Sequence, residues 1–283
     1  MPEQKLLIPP TVAASLVLVR HGESTWIAEG RFQGRQNPPL STLGQRQAEL
    51  VGLRLAHRDE RTPLPIPAGP PIGIWHSPLS RVAATAKAIA EAQSGRVPRH
   101  ALEQLTEIAQ GEWEGQPQAV VKTRWARELN AWRLTPTRSQ APGGERLLDA
   151  AARVRGGLGE ILAALTPPAS DADARSSDAA GVIASLRHDP VPGYPSSEPE
   201  GPPEPWAIVV AHDGIFRLLV LQLLRMPLTR FWSLPFNLCA ITVVTIHDGV
   251  AALRAHNLSD HLAPLADEER AAQEARGERR GAL

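Results

Sequence analysis

Cysteine is almost missing from this chain, and so is any surplus of charge. Its 283 residues hold one cysteine, Cys239, and 30 Lys and Arg against 30 Asp and Glu. A lone cysteine excludes an intramolecular disulfide framework and a CxxC metal site, and it suits a reducing compartment. Zero net charge argues against a dedicated binder of nucleic acid or of anionic membrane, which needs a basic excess. Phosphate chemistry would then require a local cluster of arginines. No apolar run approaches the ~20 residues that cross a bilayer. The first ten residues contain three prolines, and the apolar stretch after them leads straight into Arg20 and His21, unlike a secretory signal. The expectation is a cytoplasmic protein with no nucleic-acid or membrane partner.

Buried strands are expected at 15–19 (SLVLV) and 206–211 (WAIVVA), short apolar runs, and a further strand at 72–76. Helical spacing of apolar residues predicts helices over 41–57, 80–93, 117–132, 145–165 and 215–224. The segments 240–246 and 250–256 flank Asp248-Gly249, a favoured type I′ pair, and predict a hairpin. Strands alternating with helices imply an α/β fold. The expected form is a three-layer α/β/α sandwich with a mostly parallel sheet and an antiparallel edge.

Two stretches break the rhythm. Residues 166–205 include nine prolines in 40 residues, too little apolar surface to offset ordering, and read as a disordered insertion. Residues 264–283 carry nine charges in 20 and read as a solvated tail. The remaining residues form one large domain over 11–263, with no internal repeat.

Chemistry gathers at strand ends. Arg20 and His21 close the first buried strand, and Gly22 lets the chain turn. His212 closes the strand at 206–211, and Arg81 follows the strand at 72–76. Ligands of open α/β sheets bind beyond the carboxyl ends of the strands. A neutral imidazole is a competent nucleophile towards phosphorus. Arginine's planar fork binds phosphate oxygens and stays charged. A carboxylic acid beside the phosphate would have a raised pKa and could protonate the leaving oxygen.

Arg20-His21-Gly22-Glu23 after an apolar strand resembles the signature of the histidine phosphatase (phosphoglycerate mutase-like) superfamily. Further blocks in the expected order strengthen the resemblance: Arg31-Phe32-Gln33-Gly34, Ser77-Pro78-Leu79-Ser80-Arg81, LTEIAQGEWEG at 105–115, PGGERL at 142–147, Ala211-His212-Asp213-Gly214 and NLSDHL at 257–262. The resemblance implies a metal-independent, cofactor-free phosphomonoesterase acting on a small phosphorylated metabolite. It makes His21 the residue that becomes phosphohistidine. Arg20, Arg81 and His212 complete the phosphate pocket, Gln33 adds a polar contact, and Glu107 is the general acid. It also implies a small helical cap over about 105–142, and a homodimer is compatible with it.

Three positions depart from the pattern. Ile27 stands where the family usually has a phosphate-contacting Asn, Arg146 where Ser is common, and Asp213 where Gly is common. In the acid phosphatase branch a His-Asp pair supplies the acid, so Asp213 is the alternative to Glu107; the GEWEG context favours Glu107. Glu23 reads as structural. Arg124 and Arg127 read as solvated helix arginines, the alternative being a contact to a substrate anion. Two other functions stay open. Mutases resembling this family have Arg-His-Tyr-Gly after the acid, where this chain has IAQG at 108–111, which favours hydrolysis. A phospho-ligand-binding protein that has lost catalysis is the second, motivated by Ile27.

Overall fold

The computed structural model describes residues 7–59, 62–93, 95–166, 204–265 and 268. Most of 166–205 and of the charged tail lies outside them. A buried run, apolar but for Ser15 and the closing Arg20, forms β1 (Ala14–Arg20), and β4 (Trp206–Ala211) lies parallel beside it, pairing Arg20 with Ala211. With β2 (Ile74–His76), β3 (Arg99–Ala101), β5 (Ile241–His247) and β6 (Val250–Leu258) they make one sheet, ordered β3-β2-β4-β1-β5-β6. The pairs from β3 to β1 are parallel, and β5 and β6 are antiparallel. Asp248 and Gly249 both adopt positive φ, 50° and 73°, as a type I′ hairpin demands.

The sheet is apolar on both faces because each strand sends alternate residues to opposite cores. Val17, Val19, Ile208 and Val210 join α2 (Thr42–Ala56) and α3 (Ser80–Ala92) through Val51, Leu55, Val82 and Ile89. Leu16, Leu18, Val209 and Val244 face α6 (Leu147–Leu165) and α7 (Asp213–Leu223) through Val154, Ile161, Phe216 and Leu219. Each such side chain, wholly withdrawn from water, stabilises the fold by about 1.5–3 kcal/mol before entropy is counted. The result is the expected three-layer α/β/α sandwich. Among the described residues no helix is long and apolar enough to cross a membrane.

Two sequence expectations need correction. The helix expected over 117–132 is two helices, α4 (Gln118–Arg124) and α5 (Ala126–Leu134). The chain breaks at Trp125 (φ −122°, ψ 38°), which lets Trp125, Leu129 and Trp132 all reach the core. Strand β3 went unforeseen because its three residues, Arg-His-Ala, are exposed and carry no apolar signal. A short α1 (Thr25–Ala28), capped by Ser24, precedes α2.

Sheet topology fixes where a ligand can enter. After β1 and β2 the chain departs to the α2/α3 face, whereas after β4 it departs to the α7 face. A crevice must open at the carboxyl end of β4, the switch point of the sheet. The loop after β1 is pinned there by close backbone approach. A Cβ on Gly44 would lie 1.9 Å from the Glu23 carbonyl oxygen, and one on Gly22 would lie 2.4 Å from that of Gly44. We expect Gly44→Ala to cost roughly 2–4 kcal/mol in urea melts. Gly156→Ala, in α6 with open space around it, should gain about 0.5–1 kcal/mol. Equal effects would contradict the docking of this loop on α2.

Candidate active site

His21 is the first residue after β1, and its backbone N–H continues the ladder to the Ala211 carbonyl at 3.0 Å. His212 is the first residue after β4 and caps α7. Register alone therefore brings the two rings together, with centroids 5.1 Å apart and planes at 66°. Both histidines are buried. Arg81, from the first turn of α3, has no exposed surface, and its Nη2 lies 3.4 Å from His212 Nδ1.

Hydrogen bonds assign the tautomers. His21 Nδ1 lies 2.7 Å from the Gly22 carbonyl, which can only accept, so Nδ1 carries the proton and Nε2 keeps a free lone pair. Arg81 can only donate to His212 Nδ1, so His212 Nε2 carries the proton and donates to Ser77 Oγ at 3.0 Å. Burial first, then Arg81 and other nearby cations, holds both imidazoles well below the ordinary 6.5. Both rings are therefore neutral at physiological pH.

The arginines are held by carbonyls. Arg81 donates to Gly34 O (2.8 Å) and Gln36 O (2.9 Å), and Arg20 donates to Phe236 O (2.6 Å). Burial pushes Arg81 down to about 10, partly offset by Glu107 and Glu114, and it remains a cation at neutral pH. Among the described residues the Nε atoms of Arg20 and Arg81 are buried with no hydrogen-bond partner. The N-terminus of the eleven-residue α7 adds its partial positive charge to the same crevice.

Glu107 comes from the loop between β3 and α4. Its Oε1 accepts the Ile108 N–H at 2.9 Å and its Oε2 the Gly214 N–H at 3.4 Å. A Cβ on Gly214 would sit 2.7 Å from Oε1, so glycine there admits the carboxyl. Desolvation raises the Glu107 pKa above 4.5; the Ile108 N–H opposes this and Asp213 reinforces it. Asp213 itself is bound to Arg217, Oδ2 to Nε at 3.0 Å, one turn along α7.

Other residues fall out as follows. Gln33 Oε1 accepts from Ser24 Oγ at 2.6 Å. Glu23 accepts from the capping Ser41 Oγ at 2.7 Å, as a structural residue would. Ile27 lines a cleft of about 610 Å³ with Arg20, Gln47, Asn237 and Ser259. Arg124 stacks on Trp125, 4.5 Å from the ring centroid. Sequence reasoning missed Ser77, whose position right after β2 was the available signal. It also missed the charged side chains of Glu145 and Arg153 around the Glu107 loop.

A profile of the histidine phosphatase superfamily (branch 1) matches residues 16–167 and 197–259. The chain is 27% identical over 250 residues to phosphoserine phosphatase 1 of Hydrogenobacter thermophilus, covering 87% of this chain and 93% of that one. It is 32% identical over 142 residues to a 2,3-bisphosphoglycerate-dependent phosphoglycerate mutase of Methylobacterium sp., covering 49% and 63%. The solved structure of a mycobacterial glucosyl-3-phosphoglycerate phosphatase with VO3 superimposes with a TM-score of 0.64 at 26% identity, over 87% of this chain and 99% of that one.

The site should also govern acid stability. His21, His76, His212, His256 and His261 are all shifted below 6.5 by burial. Their unfolded forms bind more protons below that pH, so the stability they contribute is complete above 6.5 and shrinks as pH falls towards the folded values. Glu107, raised, acts in the opposite sense but alone. The melting temperature is expected to drop between pH 7 and pH 5, less steeply in His212→Asn. A flat profile in the parent protein would contradict neutral burial of these rings.

Proposed function

The chain belongs to the histidine phosphatase superfamily (branch 1), and from that membership we propose how its crevice hydrolyses a phosphate monoester. It is a phosphatase of small phosphorylated metabolites. The observation that carries the residue roles is the His21 ring, neutral, with Nδ1 tied to Gly22 and with His212 and two arginines around it.

In the first step His21 Nε2 attacks phosphorus in line with the ester oxygen, and the phosphorus–oxygen bond breaks. Arg20, Arg81 and the amide end of α7 hold the non-bridging oxygens, and His212 joins them by turning its Nε2–H from Ser77 Oγ to the phosphate, each well-placed donor contributing roughly 3–4 kcal/mol in the transition state. Gln33 contacts substrate from the loop beyond α1. Glu107, its pKa raised by burial, gives its proton to the departing alkoxide. In the second step water attacks the phosphohistidine while the Glu107 carboxylate takes its proton, releasing phosphate and restoring His21. The ion pair with Arg217 supports a charge-holding role for Asp213 and favours Glu107 as the acid.

The catalytic unit runs over 11–263, with 105–142 as its cap. The buried thiol of Cys239, its pKa raised by burial, supports a reducing compartment such as the cytoplasm. Sedimentation velocity decides whether two copies pair. The mutase reading is the weaker one, since its relative aligns over 63% of its own length against 93% for the phosphoserine phosphatase.

Wild-type protein should release phosphate from p-nitrophenyl phosphate and from one class in a panel of phosphoserine, phosphoglycerates, sugar phosphates, nucleotides and ribazole phosphate. His21→Ala should abolish release from all of them. Activity retained in His21→Ala removes it as nucleophile. Interconversion of 2- and 3-phosphoglycerate with 2,3-bisphosphoglycerate would make the protein a mutase. Vanadate binding without turnover of any ester would make it a binding protein.

A further inference from the structure

A second group of charged side chains surrounds the loop that carries Glu107 without touching the phosphate pocket. Arg153, on α6, places Nη1 2.8 Å from both the Gln104 and the Thr106 carbonyl oxygens. Its Nε and Nη2 bind Glu145 at 3.1 and 2.9 Å, from the turn before α6. The Glu145 carboxylate also accepts the Ala109 N–H at 3.4 Å and Arg35 Nη2 at 3.0 Å, and Arg35 Nε reaches the Glu107 carbonyl at 3.3 Å. The Glu145 backbone N–H adds a bond to the Ala109 carbonyl at 2.9 Å.

We propose that Arg153 and Glu145 are positioning residues for the general acid, clamping the backbone on both sides of Glu107 so that its carboxyl stays against the N-terminus of α7. The inference rests on Glu107 being the acid. Its physical basis is the reach of the two partners. Residues 106–110 lie between two single-turn 3-10 helices, Glu103–Leu105 and Gly111–Trp113, and belong to no helix or strand themselves, so no ladder of backbone bonds fixes the direction of Glu107. A guanidinium can satisfy two carbonyls and a carboxylate at once because its donors lie in one rigid plane. Arg153 is mostly buried, 19% exposed, and Glu145 14%, so the pair is far less screened than a surface ion pair. Glu145 lies between two arginines that would otherwise repel, and it joins the acid loop to the loop bearing Arg35. A shift of ~1 Å in a catalytic group can cost about 100-fold in rate.

The readout is leaving-group dependence of kcat/KM, which reports the first chemical step. The p-nitrophenolate of p-nitrophenyl phosphate departs without a proton, whereas the alkoxide of β-glycerophosphate needs one. Glu107→Gln should lower kcat/KM for the alkyl ester about 100-fold or more and leave the aryl ester within a few fold. Arg153→Met and Glu145→Gln should copy that bias at about 10- to 100-fold on the alkyl ester. If Glu107→Gln is selective but both clamp variants slow the two esters equally, the clamp is refuted and the acid assignment stands. Should Glu107→Gln itself lack selectivity, the acid assignment falls and takes the clamp with it. Where Arg153→Met fails to fold, Glu145→Gln, which keeps shape and one acceptor, decides alone.

Discussion

Positive charge held out of water without a matched anion is the constraint around which this molecule is arranged. Arg20, Arg81, His21 and His212 converge on one crevice, and three of the four are buried. Direct ion pairs would neutralise them, but they would also fill the place of a ligand. The chain instead offers carbonyl oxygens: Gly34 and Gln36 to Arg81, Phe236 to Arg20, Gly22 to His21. Carbonyls orient a guanidinium and leave its charge intact. The histidines respond by staying neutral, and the remaining demand for negative charge suits the phosphate ester proposed as substrate.

That arrangement exists because of strand order. Placing β4 between β2 and β1 makes three carboxyl ends adjacent, and each end supplies one part: Arg20 and His21, then Ser77 and Arg81, then His212. The departure of β4 to the opposite face opens the space between them. Glu107 comes from outside the sheet, on a loop between two single-turn 3-10 helices, and the side chains of Arg153 and Glu145 bond to the backbone on either side of it. Its burial favours the protonated form.

Much of this was legible beforehand, for identifiable reasons. The strands flanking the site are uniformly apolar because both faces are covered, so their ends could be read to within a residue: Arg20 and His212 mark them. The Asp248-Gly249 turn was legible because few residue pairs tolerate two positive φ angles. The break at Trp125 was not, since a continuous apolar stripe fits one helix or two, and only packing decides. Ser77 was passed over because its one signal, a place right after β2, is shared by any residue that follows a strand. Glu145 and Arg153 were passed over because their partners are backbone atoms some 40 residues away, and backbone atoms leave no trace in residue identity.

The sequence by itself determined the inventory: which residue types stand at strand ends, their order, and the family these belong to. That follows from local rules, because periodicity and turn chemistry act over a few positions. The tertiary structure alone decided which nitrogen of His21 is free, that among the described residues Asp213 and not Glu107 is ion-paired, and how a short irregular loop holds its carboxyl. Those outcomes depend on distances between distant segments and on the exclusion of water, and neither is encoded at any single position.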